Sequence, residues 1–368
     1  MTQFTTELLN FLAQKQDIDE FFRTSLETAM NDLLQAELSA FLGYEHYDKV
    51  GYNSGNSRNG NFSPALIPSY GRRDDHLEEM VIKLYQTGVT TREISDIIER
   101  MYGHHYSPAT ISNISKATQE NVATFHERSL EANYSVLFLD GTYLPLRRGT
   151  VSKECIHIAL GITPEGQKAV LGYEIAPNEN NASWSTLLDK LQNQGIQQVS
   201  LVVTDGFKGL EEIINQAYPL AKQQRCLIHI SRNLASKVKR ADRAVILKQF
   251  KTIYRTENLE IAVLALEDFI AEWKPKYRKV MESLEKTDNL LTFYQFPYQI
   301  WHSMYSTNLI ESLNKEIKHQ TKKKVLFPNE EALERYLVTL FEDYNFKQSQ
   351  RIHKGFGQCS DTLESLFN

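Results

Sequence analysis

The chain has 368 residues, 41% of them apolar and 11% aromatic, with a formal net charge of −5 at pH 7. This length suggests about two or three domains with ample material for a packed core. No apolar run approaches a membrane span, the amino terminus lacks a basic, apolar, small-residue leader pattern, and the scattered Cys155, Cys226 and Cys359 argue against a disulfide framework. The expected setting is a reducing cytoplasm, with no membrane partner.

In chain order, residues 1–60 are predicted to be helical and then to pass into a linker. Apolar positions recur at helical spacing through Leu8, Leu9, Phe11 and Leu12, and again through Leu33, Leu34, Leu38, Phe41 and Leu42. The run from Gly51 to Gly60, rich in Gly, Asn and Ser, has turn and loop chemistry.

Residues 61–130 suggest a helix-turn-helix. Leu77, Met80, Val81 and Leu84 form one apolar stripe, Gly88 permits a turn, and Thr91 to Ile98 begins a second helix that carries Arg92. Ser107 as N-cap and Pro108 at the first helical position open a third helix. Its short polar residues Thr110, Ser112 and Asn113 are candidates to enter a major groove. A purely structural three-helix bundle would read the same way.

Residues 131–235 alternate strand and helix patterns. Val136–Leu139 and Val199–Val203 are expected strands, Cys155–Leu160 and Ala169–Ile175 an expected hairpin, and Trp184–Leu191 and Gly209–Gln216 expected helices. Residues 236–304 read as all-helical and interrupt this α/β unit, and residues 305–368 return to it with helices.

Two of the expected strands end in a carboxylate followed by glycine, Asp140-Gly141 and Asp205-Gly206. A residue just past a strand end points into the crevice where open α/β sheets bind ligands, and glycine lets the backbone turn there. A third carboxylate, Glu311, falls in a helical pattern. At 100° per residue from Asn308, Glu311 lies near 300°, Lys315 near 340° and Lys318 near 280°, while Ile310, Leu313 and Ile317 cluster between about 140° and 200°. Such a helix rests its apolar stripe on the sheet and presents Asn308, Glu311, Lys315 and Lys318 together. Three converging carboxylates suit two Mg²⁺ ions about 3.5–4 Å apart for in-line displacement at phosphorus. A single Asp after a strand also serves as a turn former or helix N-cap.

The negative net charge conceals basic runs. Between Lys222 and Lys251 nine Lys or Arg face one acid, Asp242, and Lys318 to Lys324 adds Lys322, Lys323 and Lys324 beside the acidic helix. Phosphate backbones favour such runs, although a solvated helix face produces them too. Cys226 and His229 form a C-x-x-H pair with no second pair at zinc spacing, so no structural zinc is expected. Contact with DNA, support of the carboxylates and a satisfied core position all fit the pair, and Arg232 lies one helical turn further on. Trp273 and Trp301 read either as packing anchors or as platforms for an unpaired base.

The segments Leu139-Asp140-Gly141, Thr204-Asp205-Gly206-Phe207-Lys208-Gly209, Arg225-Cys226-Leu227-Ile228-His229 and Tyr305 to Asn314 resemble, in this order, those of Mutator-type bacterial insertion-sequence transposases. The resemblance covers nearly the whole chain. It implies an RNase H-like mixed-sheet core interrupted by an all-α insertion domain and preceded by helical DNA-binding domains. It further implies a DDE triad of Asp140, Asp205 and Glu311, Mg²⁺ dependence with Mn²⁺ substituting, and recognition of terminal inverted repeats in double-stranded DNA. Joining to target DNA in a homodimer or larger synaptic assembly follows, with the protein on the nucleoid when bound.

The family pattern places a basic, strand-rich segment after the Asn-Ser-Gly-Asn-Ser-Arg-Asn-Gly stretch. Here Gly60 runs directly into Asn61, and that segment is missing. A transposase-derived DNA-binding regulator, or an RNase H-like nuclease that cuts without joining, therefore stands beside the active transposase.

Overall fold

A computed structural model describes residues 91–102, 119–148, 150–321 and 329–367, with Met80, Val81, Leu84, Val89, Ser107, Thr110, Ile111 and Phe327. All belong to one compact unit, Glu79–Asn368. The expected helices and linker of residues 1–60, together with Ser112, Asn113, Lys322, Lys323 and Lys324, lie outside the described residues.

The chain enters through helices α1 (Thr91–Tyr102) and α2 (Gln119–Glu127). Val81 of the expected stripe is fully buried, as are Ile94, Ile98 and Ile111, while Met80 and Leu84 are half-buried. The Ser107 hydroxyl accepts from the Thr110 backbone N–H at 3.1 Å, which is the predicted cap. Arg92 and Thr110 are exposed.

A five-stranded mixed sheet follows, built from β1 (Asn133–Arg148), β2 (Thr150–Ile162), β3 (Lys168–Ala176), β4 (Gln198–Thr204) and β5 (Lys222–Arg225) in the order β3-β2-β1-β4-β5. β1 pairs antiparallel with β2 and parallel with β4, and β4 pairs parallel with β5. Helix α3 (Asn181–Asn193) links β3 to β4, and α4 (Leu210–Ala217) links β4 to β5.

Because side chains alternate along a strand, β1 feeds two cores. Val136, Phe138, Leu144 and Leu146 join a large cluster with Ile310, Leu313, Ile317, Tyr336 and Phe341. Leu137 and Leu139 join a second cluster with Trp184, Leu187, Leu191 and Ile214 on the opposite face. Between β5 and the acidic helix every described element is helical: α5 (Leu227–Lys237), α6 (Arg240–Ile253), α7 (Leu259–Trp273), α8 (Arg278–Glu285) and α9 (Trp301–Met304), with short 3₁₀ turns. Their apolar residues, among them Phe250, Phe269, Met281 and Phe293, extend the large cluster. The acidic helix α10 (Asn308–Thr321), α11 (Glu330–Ser349) and the short α12 (Ser360–Glu364) complete the unit. Among the described residues no helix is long and apolar enough to cross a membrane.

Two strands differ from expectation. β1 does not end at Leu139; it continues through Asp140 to Arg148, because pairing with β2 persists to Arg148↔Thr150 after pairing with β4 has ended at Phe138↔Val203. β5, whose sequence is Lys-Gln-Gln-Arg, has no apolar alternation to reveal it. Its inward residue Gln224 is held instead by backbone, donating to Leu290 O at 2.8 Å and accepting from Phe293 N at 2.9 Å.

The docking of α10 depends on Ile310, Leu313 and Ile317, all essentially buried. Leu313→Ala should cost about 2–5 kcal/mol through lost burial and the cavity left behind. Denaturant unfolding should show this as a lower midpoint with an unchanged slope.

Candidate active site

The parallel register of β1 and β4 sets Asp140 and Asp205 side by side, each two positions beyond the last pair, Phe138↔Val203. Asp140 Oδ1 accepts from the Gly141 N–H at 3.0 Å, and Oδ2 accepts from the Asn314 side-chain amide of α10 at 2.8 Å. Asp205 Oδ1 accepts from the Phe207 N–H at 3.1 Å. The turn after Asp205 needs glycine: Gly206 has φ of 93°, and a Cβ there would lie 2.5 Å from a guanidinium nitrogen of Arg225. Arg225 is itself fixed by Glu211 at 2.9 and 3.0 Å, so the turn is braced.

Burial, followed by the charge of Asp205, pushes the Asp140 carboxyl up to about 7; His229 and the Asn314 hydrogen bond oppose the shift, and Glu311 adds to it. The electrostatics thus couple Asp140 to both other predicted carboxylates.

Glu311 lies in the first turn of α10. Both its oxygens are taken by the Arg232 guanidinium, at 2.7 and 2.9 Å, and His229 Nε2 lies 3.6 Å from Oε1. Burial would raise its carboxyl, but the Arg232 hydrogen bonds and the charges of Arg232, His229 and Lys315 bring it below its ordinary value.

Cys226 and His229 tie α5 to this helix. Cys226 caps α5, and its sulfur accepts from the Thr307 N–H and hydroxyl, both at 3.2 Å, and from the His229 N–H at 3.5 Å. Burial pushes the thiol up, yet these hydrogen bonds leave it below its ordinary value. His229 is raised, first by its bond to Cys226, against burial, with the charges of Asp205 and Glu311 adding. Thr307 O in turn accepts the Glu311 N–H at 2.8 Å. Donor atoms of Cys226, His229 and Glu311 lie within 4.8 Å of one another, with the sulfur and the carboxylate already engaged as described. The pair's contacts therefore run to the acidic helix.

Asn308, Lys315 and Lys318 are exposed on α10. Lys237, Lys239, Arg240, Arg243, Lys248 and Lys251 are exposed on or beside α5 and α6, whereas Arg225 and Asp242 are consumed by pairing with Glu211 and Lys276. Trp273 donates its indole N–H to Gln249 at 2.7 Å and Trp301 to Phe296 O at 2.6 Å, and Trp301 packs edge-on against Phe293 and Tyr294. Both tryptophans are packing anchors.

Two residues escaped the sequence reading. Asn314 lies one turn beyond Glu311, about 60° around the helix toward the sheet, a flank position where an amide can reach Asp140. Glu179 precedes α3 in a polar loop with no periodic signal, and its carboxyl is raised by burial and by the charge of Asp205.

The chain belongs to the Mutator family of transposases, whose family model matches residues 1–61 and 56–349. It is 90% identical to the transposase for insertion sequence element IS905 of Lactococcus lactis, over the whole of both chains. The transposase for IS1201 of Lactobacillus helveticus is 43% identical over 92% of this chain and 98% of its own. The transposase for IS256 in transposon Tn4001 of Staphylococcus aureus is 27% identical over 88% and 90%. The IS905 alignment runs to 391 positions against 368 residues here, so 23 positions have no counterpart in this chain. The family match breaks and resumes at residues 56–61, where the missing segment was read.

A pH-dependent stability follows from Asp140. With a folded pKa of about 7 against an ordinary 3.8, its contribution is fully present below pH 3.8, declines as pH rises and is lost above pH 7. Asp140→Asn should therefore melt above the parent at pH 8 in chelator. The advantage should shrink as pH falls through 7 and vanish near pH 4 in a thermal-denaturation series.

Proposed function

We propose that this chain is a DNA transposase that binds the terminal inverted repeats of an insertion sequence and carries out strand cleavage and strand transfer at Asp140, Asp205 and Glu311. The observation that carries the reading is the parallel register that brings Asp140 and Asp205 to neighbouring positions on two strands, with the helix that bears Glu311 bonded to Asp140 through Asn314. The strand order, with three parallel strands at one side and an antiparallel pair at the other, supports an RNase H-like core, and the helical run between β5 and α10 supports an all-α insertion.

The donor set fits divalent cations. Asp140 and Asp205 are hard oxygen donors, and Asp140 is raised first by burial and then by the charge of Asp205, both of which a bound cation would offset. Asp140 and Asp205 would hold Mg²⁺, or Mn²⁺ in its place, with Glu311 completing the second position. When bound, paired ions supply nucleophile activation and leaving-group stabilisation at phosphorus.

The chain's own residues do the positioning. Asn314 fixes the Asp140 carboxylate, and the fork of Arg232 fixes Glu311. Cys226, His229 and Thr307 lock the start of α10 to the start of α5. Lys315 and Lys318, with Asn308 and the neighbouring Lys322, Lys323 and Lys324, supply backbone contacts, so binding should weaken steeply with salt. Arg92, Thr110, Ser112 and Asn113 are the candidates for reading the repeat. Water opens the phosphodiester at the element end, and the liberated 3′-hydroxyl then attacks target DNA within a dimer or larger assembly.

The 23 missing alignment positions favour a second reading, a transposase-derived DNA-binding protein that no longer cuts. A labelled inverted-repeat end incubated with Mg²⁺ and supercoiled target separates the two: joined products indicate a transposase, bound but intact duplex a regulator, and nicks alone a nuclease. Glu311→Gln should retain the fold and DNA binding while cleavage and joining fall by at least about 10³-fold. Mg²⁺-dependent cleavage at the parent rate in that variant would overturn the assignment.

A further inference from the structure

We propose that Arg232 is a phosphate-binding residue whose guanidinium holds Glu311 while the chain is free of DNA and releases it when a DNA phosphodiester takes the carboxylate's place. The inference rests on the reading above that Glu311 belongs to the reaction centre.

The geometry is that of an exchangeable pair. Arg232 Nη1 donates to Glu311 Oε1 at 2.7 Å and Nη2 to Oε2 at 2.9 Å, so both oxygens that a cation would use are spent on one planar group. The guanidinium side of the pair is the open one: the Arg232 side chain is 53% exposed and that of Glu311 12%, so a strand arriving from solvent meets the arginine first. The surroundings favour an anion there. Lys315 follows one turn after Glu311 on α10, Lys237 lies further along α5 from Arg232, and both are exposed. A phosphodiester presents two oxygens to a guanidinium fork as a carboxylate does.

The exchange requires only side chains to move. Cys226 Sγ accepts from the Thr307 N–H and hydroxyl at 3.2 Å, and the Leu227 N–H donates to Tyr305 O at 2.9 Å, so the starts of α5 and α10 stay joined whether or not the fork is made. His229 Nε2 stands 3.3 Å from Arg232 Nη1 and 3.6 Å from Glu311 Oε1, so the carboxylate keeps an imidazole neighbour when the guanidinium turns away. Charge then makes the two ligands interdependent. A cation alone has to draw Glu311 from Arg232 and strand the guanidinium, and a phosphate alone strands the carboxylate; together, each takes one half of the pair. Cation and DNA therefore favour one another's binding by the same factor.

The test is a double-mutant cycle on binding of the full chain to a fluorescent inverted-repeat duplex in chelator, where no cation contributes. Glu311→Gln frees the fork and should tighten binding about 5- to 10-fold. In the Arg232→Gln background the same substitution should change binding by less than about twofold. An equal gain in both backgrounds means that Glu311 repels DNA without acting through Arg232, and no gain in the parent background means that the fork persists on DNA; either result overturns the proposal. The salt slope of Arg232→Gln should also fall by about one phosphate contact, and a parent slope counts against the contact. Should Arg232→Gln not fold, Arg232→Lys keeps the charge without the fork and should diminish the gain, an undiminished one having the same force. Mn²⁺ titration of the DNA-free chain, read by electron paramagnetic resonance, separates the two levels. Arg232→Gln should bind Mn²⁺ severalfold more tightly than the parent; if the cycle shows coupling but neither Arg232→Gln nor Glu311→Gln moves Mn²⁺ affinity, the exchange stands and the reading of the centre fails.

Discussion

The parallel pairing of β1 with β4 is the constraint on which the rest of the centre depends. It brings Asp140 and Asp205 level, though 65 positions separate them in the chain, using only main-chain hydrogen bonds. β4 then stops at Thr204 while β1 continues along β2, so the sheet divides where the two acids stand. A crevice between diverging strands is where an α/β sheet admits a ligand. Its cost is visible in Asp140, whose carboxyl is pushed up by burial and by Asp205, a penalty that the packing on both faces of the sheet has to carry.

What was legible in the sequence followed from periodicity. The apolar stripe of Ile310, Leu313 and Ile317 predicted how α10 lies on the sheet, and therefore that Glu311 faces the opening. The acid-Gly pairs marked the right turn after β4. For β1 they marked a side chain within a strand, because the continuation from Gly141 to Arg148 is held by cross-strand pairing that local sequence does not encode. β5 was invisible because its inward residue is a glutamine satisfied by backbone carbonyl and amide groups contributed from residues 290 and 293. Asn314 was missed for a related reason: its one contact, to Asp140, is set by how the helix lies on the sheet, and it belongs to no repeating pattern.

The Arg232–Glu311 fork constrains how the third carboxylate can act. Both oxygens are occupied in charge-assisted bonds, the strongest ordinary class of hydrogen bond. Any other partner of Glu311 competes with a planar, permanently charged group. Guanidinium forks match phosphate as well as carboxylate, so a DNA backbone reaching the crevice competes for Arg232 in turn. The hydrogen-bonded bridge of Cys226, Thr307 and His229 keeps α5, which carries Arg232, in register with α10.

The shortened region bears on end recognition more than on the centre. The break in the family match lies at residues 56–61, whereas every element that positions the acids falls between Asn133 and Thr321. Among the described residues, the β1–β4 pairing and the Arg232 fork are made within that span, and the α10 stripe packs into a cluster that also takes in Val122 and Phe125 of α2. The residues proposed for repeat recognition and the carboxylates proposed to react are thus carried by separate parts of the chain. On the proposed roles, the break in the family match falls outside the span that assembles the carboxylates, so repeat binding and strand chemistry are expected to fail separately.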